Sequence, residues 1–171
     1  MFKIELLTKH HEVVSFDCGD DKKNGYLRRF ALQNTKGGIG KSFVAVSEDN
    51  PLKVCGYYTI SSSSVSFDET VVKNLPRYPL PTILIGKLAT DLSIQRKGLG
   101  TILLFDALQR SLKVAEEIGV LFVELRAVDD RARNFYERWG FKQMDSDEFK
   151  LFIGLKSVRR VLAETDNSGM R

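Results

Sequence analysis

The sequence is short of the residues that cross-link a protein or anchor it in a membrane. Its 171 residues include two cysteines, Cys18 and Cys55, which are too few for a disulfide framework and are typical of a reducing compartment. Charged residues interrupt the apolar positions of the first twelve residues, which excludes a typical signal peptide. No apolar run approaches the roughly 20 residues of a membrane helix. We therefore expect a cytoplasmic protein without a membrane partner.

Extremes of composition are also absent. Apolar residues make up 43% of the chain and charged residues 28%, which excludes disordered, collagen-like and coiled-coil proteins. At this length one core buries about two-thirds of the unfolded surface, so no structural metal is required and we expect none. We expect a single domain over residues 1–171, with a flexible tail from about residue 164. The net charge of +4 favours an anionic partner only weakly.

Strand and helix patterns alternate through the chain. Strand-like runs cover residues 41–47, 54–67, 82–88, 120–127 and 149–155. Helical periodicity covers residues 24–33, 99–118, 130–139 and 156–162. In the middle of the chain, a buried strand, a helix and a second buried strand form a crossover unit, which is typical of an α/β architecture. Residues 75–81 hold three of the four prolines and are predicted to form a loop.

A first glycine-rich segment, KGGIGKS at residues 36–42, resembles the phosphate-binding loop of a class of ATPases. The standard form of that loop would need glycine where Thr35 stands. Such a loop also follows a strand and opens a helix, whereas here a helical pattern precedes the segment and a strand, cut off by Pro51, follows it. We interpret the segment as a turn.

A second glycine-rich segment, QRKGLG at residues 95–100, lies between a buried strand and the long amphipathic helix. Glycines let backbone N–H groups approach a phosphate closely, and a helix N-terminus adds partial positive charge. A dinucleotide-binding motif is excluded, because it would need glycine where Leu103 stands. The segment therefore predicts a pyrophosphate site built from main-chain groups.

A third motif, DDRARNFYERWGF at residues 129–141, forms a short helix with Tyr136 on its apolar face. By this pattern alone, Tyr136 is either a core aromatic beside Phe135 and Trp139 or a functional phenol.

These motifs together resemble the GCN5-related N-acetyltransferase (GNAT) family. Gln95, Gly98 and Gly100 fill the coenzyme A motif [QR]-x-x-G-x-[GA], and Ala132, Phe135, Tyr136, Gly140 and Phe141 fill the later motif. The resemblance spans about residues 41–155. It implies an α/β fold with a mixed central sheet of about six to seven strands, flanked by helices and splayed at the cleft for acetyl-CoA.

The resemblance also implies roles for individual residues. The residues implied in binding acetyl-CoA are Leu88, Ala89, Thr90, Gln95, Arg96, Lys97, Gly98, Leu99, Gly100, Thr101 and Asn134. Tyr136 matches the family's general acid, and its pKa near 10 keeps a phenol protonated at pH 7. Asp129 matches either a coenzyme contact or the cap of its helix, and we favour the cap.

A narrower resemblance points to the acetyltransferase toxins of toxin–antitoxin pairs. It rests on GYYTIS at residues 56–61, the Tyr78–Pro79 loop, GKLA at residues 86–89 and the ending of the chain. It implies a toxin that acetylates the amino group of aminoacyl-tRNA and blocks translation, a ribbon–helix–helix antitoxin and a homodimer. Residues expected near the RNA are Arg28, Arg29, Arg77 and Tyr78.

No general base stands out, because we expect both histidines, His10 and His11, to lie on the surface. A lysine side chain is neutral only about one time in 10³ at pH 7, whereas an α-amine is neutral roughly one time in ten. An α-amine therefore suits a site that has an acid and no strong base. Two alternatives stay open: a GNAT enzyme that acetylates a protein N-terminus, a lysine or a small amine, and a coenzyme- or ATP-binding regulator without transfer activity.

Overall fold

The computed structural model describes residues 1–66, 68 and 73–167. Within these residues the strands are β1 (Phe2–Leu6), β2 (Lys41–Ser47), β3 (Asn50–Val65), β4 (Leu80–Thr90), β5 (Phe122–Arg126), β6 (Lys142–Met144) and β7 (Asp147–Gly154). The helices are α1 (Asp21–Arg29), α2 (Ala31–Gly37), α3 (Leu99–Glu117), α4 (Asp130–Arg138) and α5 (Leu155–Asn167).

The seven strands form one mixed sheet in the order β1-β2-β3-β4-β5-β7-β6. The pair β4–β5 is parallel, and α3 connects its strands as the predicted crossover helix. The register of this pair runs from Thr82 opposite Phe122 to Ile85 opposite Leu125. The predicted α/β fold with a mixed, open sheet is confirmed.

The chain divides into two compact units, and the first consists of Met1–Ser61 and Gly86–Ala107. Its strands β1, β2 and β3 pair in antiparallel fashion. Tyr57 lies at the centre of its core, where Phe16 contacts the ring edge-on and Tyr26 stacks on it. The Tyr57 hydroxyl donates to the Lys23 carbonyl at 2.8 Å. This bond ties α1 to the core.

The second unit consists of Ser62–Ile85 and Leu108–Arg171. Here β5 pairs with β7, and β7 pairs with β6, both in antiparallel fashion. Both α4 and α5 pack against β7. A core cluster forms around Phe122 and Phe152, whose ring centroids are 5.0 Å apart. The prediction that residues 1–171 form a single domain stays a prediction.

Several element boundaries differ from those predicted. Strand β3 begins at Asn50, although we expected Pro51 to interrupt the strand region. The ladder pairs Ser47 with Asn50 and Val46 with Val54. Residues 51–53 therefore lie in an irregular stretch between two pairs, where a proline removes no ladder hydrogen bond.

The helix predicted over residues 24–33 is two helices that meet at Phe30, and α1 starts earlier because Asp20 caps it. Strands β1 and β6 were not predicted. The loop predicted over residues 75–81 ends at Pro79, because β4 already begins at Leu80. Residue 67, the last of the predicted second strand, lies outside the described residues. The predicted tail is helical from Glu164 to Asn167, while residues 168–171 lie outside the described residues.

The surface prediction holds for His10, which is exposed, and is wrong for His11, which is 9% exposed. The Nδ1 atom of His11 accepts a hydrogen bond from the Thr8 backbone N–H at 3.0 Å, so Nε2 carries the proton and donates to Glu5 Oε1 at 3.0 Å. Because this imidazole is buried and makes hydrogen bonds through both ring nitrogens, His11 has a structural role in the first unit. Among the described helices, none is long and apolar enough to cross a bilayer.

Candidate active site

The glycine loop, defined as residues 91–100, joins the end of β4 to the first turn of α3. Two of its residues have left-handed backbone conformations, Arg96 with φ 63° and Gly98 with φ 84°. A left-handed residue other than glycine is uncommon and is concentrated at functional sites. A Cβ atom built on Gly98 would meet nothing within 4 Å. The turn therefore faces open space.

The backbone amides of the loop fall into two groups. Some already have acceptors: Ile94 and Gln95 donate to the Asp91 carbonyl, and Lys97 donates to the Ile94 carbonyl, while Thr101, the residue after the loop, donates to the Gly98 carbonyl. The amides with no acceptor among the described residues are those of Arg96, Gly98, Leu99 and Gly100. Four unclaimed N–H groups at the positive end of a 19-residue helix form a binding surface for an anion.

The side chains of the loop play different parts. Arg96 is exposed, and the Lys97 ammonium donates to the Ser93 carbonyl at 3.1 Å. Leu99 is 1% exposed, so its side chain belongs to the core and only its amide is available to a ligand. The Gln95 amide group donates to the carbonyls of Cys18 and Thr90, both at 3.2 Å. Gln95 therefore shapes the loop.

The end of β4 provides a strand edge in the same unit. Leu88 and Thr90 are half-buried and Ala89 is buried. All three lie beyond Ile85, the last residue of β4 that pairs with β5. The Lys23 ammonium approaches the Leu88 carbonyl at 3.5 Å.

Gly56 on β3 allows this edge and the glycine loop to approach closely. A Cβ atom at Gly56 would lie 2.9 Å from Leu103 Cδ1, 3.1 Å from the Ala89 carbonyl oxygen and 3.2 Å from Leu99 Cδ2. Any larger residue at this position would press on both elements.

Helix α1 carries cations on the same unit. Arg28 donates to the Phe16 carbonyl at 2.5 Å, and Arg29 donates to the Gly25 carbonyl at 3.4 Å, yet both side chains are exposed. The Lys87 ammonium of β4 lies 4.1 Å from the centre of the half-buried Tyr26 ring. Sequence reasoning missed the Tyr26–Lys87 pair, because its members are 61 positions apart and match no motif.

Tyr136 lies on α4 in the second unit and is 8% exposed. Burial raises the pKa of its phenol to about 12. Its hydroxyl makes no hydrogen bond among the described residues, and it does not belong to the fully buried atoms that lack a partner. The hydroxyl is therefore not committed to a hydrogen bond within the described part of the chain, and it stays available as a proton donor.

The other predicted residues of the second unit are more exposed. Asn134 on α4 is exposed. Asp129 caps α4 by accepting from the Ala132 N–H at 2.7 Å, which confirms its predicted capping role. Arg77 and Tyr78 line a cavity of about 300 Å³ with Ser66, Asp68 and Pro79. Tyr78 is 61% exposed and presents its ring to solvent.

The donor set fits acetyl-CoA better than a metal. The four unclaimed amides and the start of α3 match a diphosphate, and the edge of β4 offers backbone groups to an extended amide-containing arm. In the described part of the chain, no three histidine, cysteine, aspartate or glutamate side chains converge to hold a metal ion. The glycine loop and the end of β4 can therefore hold a coenzyme in the first unit. Tyr136, in the second unit, has a phenol that can supply a proton.

Comparisons with known proteins agree with this chemistry. The sequence profile of the acetyltransferase (GNAT) domain matches residues 38–143. A tRNA-acetylating toxin of Mycobacterium tuberculosis (strain ATCC 25618 / H37Rv) is 33% identical over 156 residues, which cover 90% of this chain and 92% of that toxin.

Solved structures agree on the fold. The structure of AtaTR bound with acetyl-CoA aligns with a TM-score of 0.83 and 25% identity, and covers 94% of this chain and 97% of that one. AtaT complexed with acetyl-methionyl-tRNAfMet aligns with a TM-score of 0.86 and 24% identity, over 94% and 99% of the two chains. The predicted family, fold and enzyme class are confirmed: the chain belongs to the GNAT family of acetyltransferases.

Proposed function

We propose that this chain is a toxin that transfers the acetyl group of acetyl-CoA to the α-amino group of aminoacyl-tRNA. The single observation that carries the proposal is the set of four unclaimed amides at the start of α3, which forms the anion site that a GNAT enzyme needs. The M. tuberculosis relative is named a tRNA-acetylating toxin, and the AtaT structure was solved with acetyl-methionyl-tRNA. Acetylation would remove the amine that the ribosome needs for peptide-bond formation.

The coenzyme would lie along the glycine loop and the end of β4. The amides of Arg96, Gly98, Leu99 and Gly100 would hold its diphosphate, and Arg96 would add a solvent-exposed positive charge. Backbone groups of residues 88–90 would pair with the pantetheine arm as an added strand does. The amides of Lys97 and Thr101 already have acceptors, so they would contribute little.

Tyr136 would act as the general acid. A neutral amine attacks the thioester carbonyl, the C–S bond breaks, and the departing thiolate needs a proton. The proton that the amine loses on becoming an amide passes to solvent, from which the phenolate regains its own. A phenol with a pKa of about 12 is fully protonated at neutral pH. It can therefore donate its proton at the moment when the C–S bond breaks. Asn134 on the same helix stays a predicted coenzyme contact.

The substrate class follows from charge and acidity. Between Lys22 and Lys41 the chain has six lysines and arginines and no acid, and the exposed Arg28 and Arg29 belong to this stretch. Such a surface binds phosphates in a salt-dependent way. Arg77 and Tyr78 would contact the same RNA at the cavity of the second unit. An α-amine also needs no strong base, because a useful fraction of it is neutral at pH 7.

The proposed partners follow from the toxin class. A toxin that stops translation in its own cell needs a partner that restrains it, and the resemblance implies a ribbon–helix–helix antitoxin and a homodimeric toxin. Aminoacyl-tRNA is a cytoplasmic substrate, so the enzyme would work in the cytoplasm.

Transfer of labelled acetyl groups tests the proposal. The protein is incubated with acetyl-labelled acetyl-CoA and either charged tRNA, deacylated tRNA or a lysine-containing peptide. We expect label on charged tRNA alone, released together with the amino acid by mild alkali. Equal label on deacylated tRNA, or label only on the peptide, would contradict the proposed substrate.

A further inference from the structure

A buried aspartate holds the glycine loop from behind. Asp91, the first residue after β4, is 7% exposed. Its Oδ1 atom accepts from the Ser93 N–H at 3.0 Å and from the Ser93 hydroxyl at 2.6 Å. Its Oδ2 atom accepts from the Asp17 N–H at 3.0 Å. Its own N–H donates to the Cys55 carbonyl of β3 at 2.8 Å. The carboxylate therefore joins the glycine loop to the segment in front of α1, and the backbone N–H of the same residue ties both to β3.

The segment in front of α1, Asp17–Cys18, also accepts hydrogen bonds from the glycine loop. The Leu92 N–H donates to the Asp17 carbonyl at 2.8 Å, and Gln95 donates to the Cys18 carbonyl at 3.2 Å. The Asp17 carboxylate makes local hydrogen bonds: it accepts from the Gly19 N–H and from the Asn24 side-chain amide, both at 2.8 Å. The segment is therefore held in place, and the first half of the glycine loop is bonded to it at Asp91, Leu92 and Gln95.

These bonds explain how the loop keeps an unfavourable backbone. Arg96 is held at φ 63°, an unfavourable conformation that a residue other than glycine keeps only where the surrounding structure fixes it. The bonds of Asp91 fix the entry to the loop, and those of Gln95 fix the residue next to Arg96. None of these groups is among the four amides that face open space.

We propose that Asp91 is a positioning residue for acetyl-CoA, which acts through the Asp17–Cys18 segment and Gln95 to preorganise the four unclaimed amides. The inference rests on the proposed placement of the coenzyme at the glycine loop. It goes further in assigning a role to a residue that touches neither coenzyme nor tRNA. Because the same bonds anchor the start of α1, Asp91 also couples the coenzyme loop to the helix that carries Arg28 and Arg29.

The variant Asp91→Asn tests this role, because an amide keeps the shape and replaces an acceptor oxygen by a donor. In this variant one of the groups that donate to the carboxylate loses its acceptor. We expect acetyl-CoA binding, measured by calorimetry without tRNA, to weaken at least about tenfold. At saturating acetyl-CoA, kcat should stay within about threefold, because the reacting groups are unchanged. Asp49→Asn, on an exposed turn of the same unit, is the matched control and should bind as the wild type does.

A merely structural role would have a different signature: a smaller active fraction, seen as a lower kcat with an unchanged KM for acetyl-CoA. That result would overturn the inference. Should Asp91→Asn fail to fold, Ser93→Ala removes one of the three donors and should raise KM about two- to tenfold, and an unchanged KM there would refute the role. If the wild type itself binds no acetyl-CoA, the proposed function fails; if it binds and both variants bind equally well, only this inference fails.

Discussion

Replacing Tyr136 with phenylalanine should separate catalysis from stability. The Tyr136 ring meets Phe135 and Phe141 edge-on, at centroid distances of 5.1 and 5.7 Å, and a phenyl ring keeps both contacts. The hydroxyl has no hydrogen-bond partner among the described residues. We therefore expect the free energy of unfolding to change by no more than about 0.5 kcal/mol.

The rate should respond very differently. General acid catalysis is worth about 10²–10⁴-fold, so Tyr136→Phe should lose that factor in kcat. With a pKa of about 12, only about one phenol in 10⁴ is ionised at pH 8. The wild-type rate should therefore show no loss from phenol ionisation on the alkaline side until well above pH 9. Initial rates of acetyl transfer at saturating acetyl-CoA, measured against pH, check both statements.

Tyr57→Phe is the matched control for this experiment. Tyr57 is also a buried tyrosine, but its hydroxyl donates to the Lys23 carbonyl at 2.8 Å. Its loss should cost about 1 kcal/mol of stability and leave most of the turnover. The reasoning about Tyr136 is refuted if Tyr136→Phe transfers acetyl groups at the wild-type rate, or if it loses stability as Tyr57→Phe does.

Three further perturbations have defined outcomes. Gly56→Ala overpacks β4 and α3, so it should destabilise the protein by about 1–3 kcal/mol and raise KM for acetyl-CoA, as thermal unfolding and kinetics would show. Burial raises the pKa of Asp91, but hydrogen bonds from Ser93 and Asp17 together outweigh it and hold the pKa below the ordinary value. The stabilising contribution of Asp91 is therefore complete above about pH 4 and disappears as the pH falls through the lowered pKa, and acid unfolding of Asp91→Asn should lack this component. Arg28→Ala combined with Arg29→Ala should reduce the salt dependence of tRNA binding by up to about two phosphate contacts, and an unchanged slope would exclude α1 from the RNA site.

The sequence predicted the central elements of the fold well and the edges poorly. The strands on either side of the crossover helix are long apolar runs, and α3 has a clear helical period. The local sequence pattern is therefore enough to predict these elements. Strands β1 and β6 have five and three residues, too few for alternation to rise above chance. The break at Phe30 was missed because apolar residues on both sides keep one helical period across the junction.

The candidate site was predictable where it is local and unpredictable where it is assembled. Gln95, Gly98 and Gly100 lie within six residues, so a motif finds them. The bond between Asp91 and Asp17 joins positions 74 residues apart, and no local pattern predicts it. For the same reason the sequence did not reveal that the Gln95 side chain is occupied by the carbonyls of Cys18 and Thr90. Nor did it reveal that the amides of Lys97 and Thr101, both predicted to bind the coenzyme, already have acceptors.

Backbone amide NMR of the ¹⁵N-labelled protein tests the central claim most directly. If the start of α3 holds the coenzyme diphosphate, acetyl-CoA should shift the amide resonances of Arg96, Gly98, Leu99 and Gly100, and acetyl-pantetheine, which lacks the diphosphate, should leave them nearly unchanged. The Lys97 amide, which already has an acceptor, should move least within the loop. Binding of acetyl-CoA without any shift of these four resonances would contradict the account.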